Sequence, residues 1–322
     1  MSKAPAAFVL AAGLGTRLAP LTDILPKPLA PVFHKPLLTF ALDSLIKAGV
    51  GTLALNTHHL PQTFSPVFGS DPSYRERPLR FFHEPLLLDT GGGIRNARPA
   101  LGEGTFFLYN GDILADLPLD GLLSTHRSSG ALATLLLRPA EGGGIANVNF
   151  DTTSGCVHDL RGVLGRNVGE RMVYSGIAVF ERGIFDWIPN EGPYSIIDAL
   201  LEAMRSGEKV AGMLAPHGLW IDIGTPAAYL EAHRILADPQ HRPSYLSEPV
   251  WPLGVHPEAQ IESGVRIEGF TSVGPGAIVR SGAVVKDSVV WPGAIIGSEA
   301  RLDRCIVSGR NHVAGELTGG VL

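Results

Sequence analysis

The last quarter of this 322-residue chain repeats with a period of six, and few folds accept such a period. Val255, Ile261, Ile267, Val273, Val279 and Val285 recur at that interval. Four positions after each stands a small or β-branched residue: Ala259, Val265, Thr271, Ala277, Ala283 and Val289. The series slips by one residue at Val290. It then continues through Ile296 and Leu302, with Ala300 and Ile306 in the partner position. Self-similarity at a fixed short period marks a solenoid, whose repeats bury their apolar faces only by stacking. A hexapeptide period predicts a short left-handed parallel β-helix of about three hexapeptides per coil. Such a tail is expected to serve assembly, here of a homo-oligomer, or regulation, and it is assigned no chemistry. The segment before it, PQHRPSYLSEPV (239–250), is polar and proline-rich and reads as a linker. The expected organisation is therefore a catalytic domain over 1–238, a linker over 239–250 and a β-helix over 251–322.

Upstream of the linker, strand-like and helix-like stretches alternate. FVLAA (8–12), GTLALNT (51–57), LRFFHE (79–84), TFFLYNGD (105–112) and ALATLLLRPA (131–140) are short apolar runs that predict strands. LTFALDSLIKAG (38–49) spaces Phe40, Leu42, Leu45 and Ile46 as a helix does and ends on Gly49. SIIDALLEAMRSG (195–207) puts Ile196, Ile197, Leu200, Leu201 and Met204 on one stripe and stops at Gly207. GLWIDIGTPAAYLEAHRILAD (218–238) reads as a strand, a turn at Gly224–Pro226 and a helix. The alternation predicts an α/β fold, a Rossmann-like and mostly parallel sheet with helices on both faces. Ligands on such sheets bind beyond the carboxyl ends of the strands. The glycine loop after FVLAA, Glu84 and Asp112 all stand at such ends.

Composition narrows the partners. A net charge of −5 disfavours nucleic acid, which calls for a basic face. The two cysteines, Cys156 and Cys305, have no CxxC neighbour, so neither a disulfide framework nor a structural zinc site is expected. The apolar part of MSKAPAAFVLAAG is too short for a signal peptide, and no stretch approaches the ~18 apolar residues of a membrane span. The reading is a soluble, cytoplasmic protein without a membrane partner.

The chemistry concentrates in LAAGLGTRLAPLTDILPKPLAPV, Leu10 to Val32. Gly13 and Gly15 make a tight turn whose backbone N–H groups can approach phosphate oxygens. Thr16, Arg17 and Lys27 put a hydroxyl and two cations just past it, as a triphosphate site requires. GLGTR fits neither the GxxxxGK[ST] nor the GxGxxG pattern. Lys27 lies between Pro26 and Pro28, and a stiffened backbone suits a cation that must be held in place. Asp112, in YNGD, and Asp222, in LWIDIGTP, each follow a hydrophobic strand. Two carboxylates remote in sequence but adjacent in space would hold Mg²⁺ against phosphate oxygens. His58 and His59 point to opposite faces of an extended chain, so a surface or structural role is expected for them.

Residues 10–32, with NGD at 110–112 and WIDIGTP at 220–226, resemble the sugar-1-phosphate nucleotidylyltransferases. LDTGGGIRNA (88–97) and YSGIAVF (174–180) look most like N-acetylmuramate-1-phosphate uridylyltransferases and mannose- or heptose-1-phosphate guanylyltransferases. The resemblance implies that a sugar 1-phosphate attacks the α-phosphorus of a nucleoside triphosphate (NTP), releasing pyrophosphate and forming an NDP-sugar. It implies that Gly13, Gly15, Thr16 and Arg17 hold the triphosphate, and that Lys27 neutralises charge at the α-phosphate. The backbone of Leu10, Ala11, Ala12 and Gly13 would frame the base with the loop of Thr90 and Gly91, and Asn110 would bind the nucleotide. Gly144, Ser175 and Gly176 match positions lining the sugar pocket, as does GGGIANV around Gly144. Asp112 and Asp222 would hold Mg²⁺.

Glu84 stands where many relatives carry a base-reading glutamine. An ionised carboxylate only accepts hydrogen bonds, so it suits guanine, uracil or thymine and opposes adenine and cytosine. GTP, or UTP and dTTP, are the expected nucleotides. The chain also departs from the family pattern. DLRGVLGRN (159–167) lacks the usual lysine for the sugar phosphate, leaving Arg161, Arg166 or Arg171 as substitutes. Asp89 stands where glycine is more common. The alternatives are a regulatory subunit that binds nucleotide without catalysis, and transfer to a non-sugar phosphate such as phosphocholine.

Overall fold

The computed structural model describes residues 4–69, 71–140, 144–309 and 311–322. They form two compact units, neither continuous in sequence. The first joins the residues through Gly13 to Ala41–Trp220; the second joins Leu14–Phe40 to Ile221–Leu322.

The first unit is built on a ten-stranded mixed sheet. Phe106–Asn110, Ala6–Leu10, Thr52–Thr57 and Arg77–His83 are parallel neighbours in that order. Leu10 lies opposite Asn110 and Thr57 opposite His83, so four carboxyl ends share one rim. The strand Ala6–Leu10 is buried on both faces, as parallel strands under helices must be. It stops at Leu10, which leaves Ala11 and Ala12 to the turn rather than to the strand. Across the sheet, Glu170–Phe180 runs antiparallel to both Phe106–Asn110 and Ala133–Pro139. Val210–Leu214 restores a parallel pair with Ala133–Pro139.

One apolar core of the first unit runs from Phe8, Phe106 and Leu108 through Leu135, Ala178 and Phe180 to Ile196, Leu200 and Met204. Each fully buried Phe or Leu contributes about 2 kcal/mol by its transfer from water. The helix Ile196–Arg205 supplies the last of these residues. Its Ser195 hydroxyl accepts from the Ile197 N–H at 3.2 Å, and Gly207, at φ +96°, lets the chain turn away.

In the second unit the six-residue period becomes a coil. Gln260 pairs with Ile278 and Arg266 with Val284, each eighteen residues on. Past the slip at Val290 the offset falls to seventeen, as in Ile278 with Ile295 and Val289 with Ile306. Val273, Ala277, Val279, Ala283, Val285, Ile296 and Ala300 are fully buried along its axis. These stacked parallel strands form the short left-handed β-helix. Cys305 is buried in it, and both cysteines are free. Trp291 of the coil donates its indole N–H to the Tyr229 hydroxyl at 3.0 Å, and Tyr229 in turn donates to the Pro31 carbonyl. Tyr245, Leu246 and Trp251 are buried, and Lys35 pairs with Glu248 at 3.1 Å, so 239–250 packs within this unit.

Candidate functional site

In the first unit the Leu10–Ala11 peptide is held at both ends. The Leu10 carbonyl accepts from the Gly111 N–H at 2.9 Å, and the Ala11 N–H donates to Asn56 Oδ1 at 2.7 Å. Gly111 is required by this approach. A Cβ there would stand 2.6 Å from the Leu10 oxygen. The NGD turn carrying half-buried Asp112 is thereby locked to the turn that opens at Gly13.

Glu84 is 1% exposed. Its Oε1 accepts from Asn56 Nδ2 at 2.8 Å and its Oε2 from the Leu88 N–H at 3.0 Å. His58 Nδ1 donates to the Glu84 carbonyl at 2.7 Å, a structural role of the kind expected for that histidine pair. Asp89 follows Leu88 at φ +58°, a left-handed conformation that explains why glycine suits the position. The helix Asp89–Asn96 begins there. Gly91 abuts the Tyr194 carbonyl, and the Thr90 hydroxyl accepts from the Ile196 N–H at 2.8 Å. Thr90 and Gly91 thus join two helices, Asp89–Asn96 and Ile196–Arg205.

The expected sugar residues meet around Trp220. Its indole N–H donates to the Ser175 carbonyl at 2.8 Å, and a Cβ on Gly144 would lie 3.6 Å from its ring. Gly176, at φ +81°, packs against Asn110, where a Cβ would stand 2.7 Å from the amide nitrogen. Asn110 of the nucleotide set and Gly176 of the sugar set are therefore neighbours. Gly142 and Gly143 of the GGGIANV segment lie outside the described residues. Arg161, Arg166 and Arg171 are exposed. Arg138 was not singled out from the sequence. It is buried, with its guanidinium 4.8 Å from the Trp220 ring centroid, and burial lowers its pKa from the ordinary value.

The second unit assembles the remaining residues. Gly15, at φ +65°, packs so closely that a Cβ would lie 2.8 Å from Thr22 and 3.1 Å from the Lys27 Cβ. The Thr22 hydroxyl donates to the Gly15 carbonyl at 3.3 Å. Lys27 opens the short helical turn Lys27–Leu29 with Pro28 at its second position, and it is 7% exposed. A buried lysine stem between two prolines gives the ammonium few conformations. Thr16 and Arg17 are exposed. The Arg17 guanidinium lies against Gly224, whose added Cβ would meet it at 3.0–3.3 Å. Two residues before Gly224 is Asp222, exposed at the end of Leu219–Asp222. Thr225 then accepts from the Ala228 N–H at 3.2 Å and Pro226 opens the helix Pro226–Leu236. WIDIGTP thus combines a close glycine contact, a cap and a helix start. The packing brings Gly15 to Lys27 and Arg17 to the Asp222–Gly224 turn. Asp112 belongs to the first unit and Asp222 to the second.

Sequence reasoning passed over Asn56, Trp220 and Arg138. Asn56 offered the clearest signal, an amide in an otherwise apolar buried strand, LALNT.

The nucleotidyl transferase family profile matches residues 6–238. The mannose-1-phosphate guanylyltransferase of Mycobacterium tuberculosis is 30% identical over 92% of this chain and 83% of its own. A UTP–glucose-1-phosphate uridylyltransferase of Synechocystis is 26% identical over 98% of this chain and 90% of its own. Among solved structures, a UDP-glucose pyrophosphorylase from Acinetobacter baumanii shares the fold at a TM-score of 0.62 and 19% identity. It covers 74% of this chain and 95% of its own. Among the described residues no helix is long and apolar enough to cross a membrane.

Proposed function

The chain belongs to the nucleotidyl transferase family, within the sugar-1-phosphate nucleotidylyltransferases, and we propose that it transfers guanylyl from GTP to a hexose or heptose 1-phosphate. Within the reading, a sugar-phosphate oxygen forms a bond to the α-phosphorus as the bond to the bridging oxygen of pyrophosphate breaks. No protein nucleophile is needed, because the attacking phosphate is already anionic near neutral pH. Catalysis is then positioning and charge neutralisation. The observation that carries the reading is the packing of Gly15 on Lys27 and of Arg17 on Gly224. It gathers a phosphate turn, two cations and the Asp222 segment from stretches some two hundred residues apart. Backbone N–H groups at Gly13 and Gly15 would bind phosphate oxygens, with Thr16 and Arg17 beside them. Lys27 would offset charge at the α-phosphate. Leu10, Ala11, Ala12, Thr90, Gly91 and Asn110 would shape the nucleotide side, and Gly144, Ser175 and Gly176 the sugar side. Arg138, buried beside Trp220, is the better candidate for the sugar phosphate than the exposed Arg161, Arg166 and Arg171.

The carboxylates of Asp112 and Asp222 are hard oxygen donors and fit Mg²⁺. That ion would supply further positive charge to the triphosphate. UTP is the second reading for the nucleotide, favoured by the uridylyltransferase relative. A pyrophosphate-release screen decides. The four NTPs are paired with mannose, glucose, heptose, N-acetylglucosamine and N-acetylmuramate 1-phosphates. Release with GTP and one sugar is expected, and release with none overturns the proposal. Asp222→Asn should lower the rate at limiting Mg²⁺ by about two orders of magnitude. A metal titration matching wild type would remove Asp222 as a ligand. A homo-oligomer through the β-helix remains part of the proposal. Light scattering of the full chain and of a chain ending near residue 250 tests it.

A further inference from the structure

We infer that Asn56 and Glu84 form a polarity-matched clamp that positions the nucleotide turn, and that Glu84 serves as a double acceptor inside the protein rather than as a reader of the base. The kinetic consequence rests on the nucleotidyl-transfer reading; the clamp itself does not.

The donor–acceptor order admits one arrangement. The Ala11 N–H can only donate, so the Asn56 atom 2.7 Å away is its carbonyl oxygen. Its amide nitrogen is then turned to Glu84 Oε1 at 2.8 Å. The Leu88 N–H also only donates, and it reaches Glu84 Oε2 at 3.0 Å. Glu84 thus faces two donors, and only a group with two acceptor oxygens satisfies both. The clamp is buried: Ala11 and Asn56 are each 3% exposed and Glu84 is 1% exposed. Gly93 of the helix Asp89–Asn96 presses on it. A Cβ there would stand 2.9 Å from Glu84 Oε1 and 3.0 Å from Asn56 Nδ2. One end of the chain of bonds therefore fixes the Ala11 N–H. The other fixes Leu88, the residue before Asp89 and Thr90. Gly111 holds the far side of the same Leu10–Ala11 peptide.

The order predicts a rescue. Glu84→Gln is isosteric, yet it offers one acceptor to two donors. Either the Leu88 N–H or the Asn56 amide then faces an N–H₂, and turning Asn56 over only moves the conflict to Ala11. Asn56→Asp sets a second carboxylate against Glu84. The pair Asn56→Asp with Glu84→Gln satisfies every group again. The new carboxylate accepts from Ala11 and from the new amide, whose oxygen accepts from Leu88.

The experiment is this double-mutant cycle, read by kcat and KM for each NTP, KM for the sugar 1-phosphate, and thermal midpoint. Each single variant should lose about tenfold or more in kcat/KM for every NTP, because the turn shifts. The order of preference among NTPs and the sugar-phosphate KM should hold. The double variant should recover to within about threefold of wild type, a coupling that only interacting residues show. A reversed NTP preference in Glu84→Gln, with Asn56→Asp neutral, would make Glu84 a direct base reader and overturn the clamp. So would a double variant no better than the worse single, or one that regains its thermal midpoint but not its kinetics. If the single variants do not fold, the double must still fold; its failure has the same force. A wild type inactive with all substrate pairs would defeat the proposed function alone, and the thermal cycle would still decide the clamp.

Discussion

The rim of the first unit and the coil of the second are both parallel β-structure, yet their sequences reveal them very differently. In the coil strands pair with partners fifteen to eighteen residues away, so the period of the sequence sets the period of the fold. At the rim Leu10 pairs with Asn110, a hundred residues on, and the strand from Glu170 to Phe180 inserts beside Phe106–Asn110. A repeat that buries its face on its nearest neighbour leaves its pattern in plain text. A sheet whose neighbours are chosen by crossovers does not.

Lys27 puts this contrast under the greatest strain, since it packs in the same unit as the coil but is assigned to the chemistry. Lys27→Ala should cut kcat by about two to three orders of magnitude and leave circular dichroism unchanged. Turnover near wild type would detach residues 14–40 from the reaction. At the rim, Gly111→Ala forces a Cβ into the Leu10 carbonyl, and turnover should fall about a hundredfold as the turn is displaced. In the coil, Ile296→Ala removes a fully buried side chain and should cost about 2–5 kcal/mol of stability, read by denaturant melting, with NTP turnover intact. Loss of turnover there would show that the two regions are not separable.

The smallest effect concerns pH. His34, in the tight turn between Pro31–Val32 and Lys35–Pro36, has its pKa lowered to about 4 by burial and by the His256 ring 5.3 Å away. Fully buried His233 is lowered to about 4 by desolvation. Both groups are neutral in the folded chain but take up protons near 6.5 when it unfolds. Their stabilisation is complete above pH 6.5 and is lost as pH falls toward 4. Asparagine tolerates the φ of +70° at His34. His34→Asn should therefore make the thermal midpoint fall less steeply across that window, and an equal slope would remove His34 from the account.

Much of the fold was legible. The helices at Leu37–Lys47, Ile196–Arg205 and Pro226–Leu236 follow their apolar spacing, and the hexapeptide slip at Val290 became the change of register. The antiparallel insertion of Glu170–Phe180 was not legible, because alternation predicts strands but not their order. At the proposed site, Gly15, Lys27 and Arg17 could be named from one motif. Glu84 could be named as well, but not its partners. Asn56 and Leu88 take both carboxylate oxygens. Arg138 stands in a run of leucines and looked like an ordinary strand end until Trp220 covered it.

By itself the sequence determined the coil, the glycine turn and the chemical character of its cations, because these depend on residues close together along the chain. Only the tertiary structure decided that residues 14–40 pack with the segment beginning at Ile221, and that Arg17 rests on Gly224. It alone decided that Asn56 turns its oxygen to Ala11. The physical reason is reach. A backbone turn or a repeat is set by steric and packing preferences spanning a few residues, whereas a hydrogen bond between buried groups exists only once the core has folded around both.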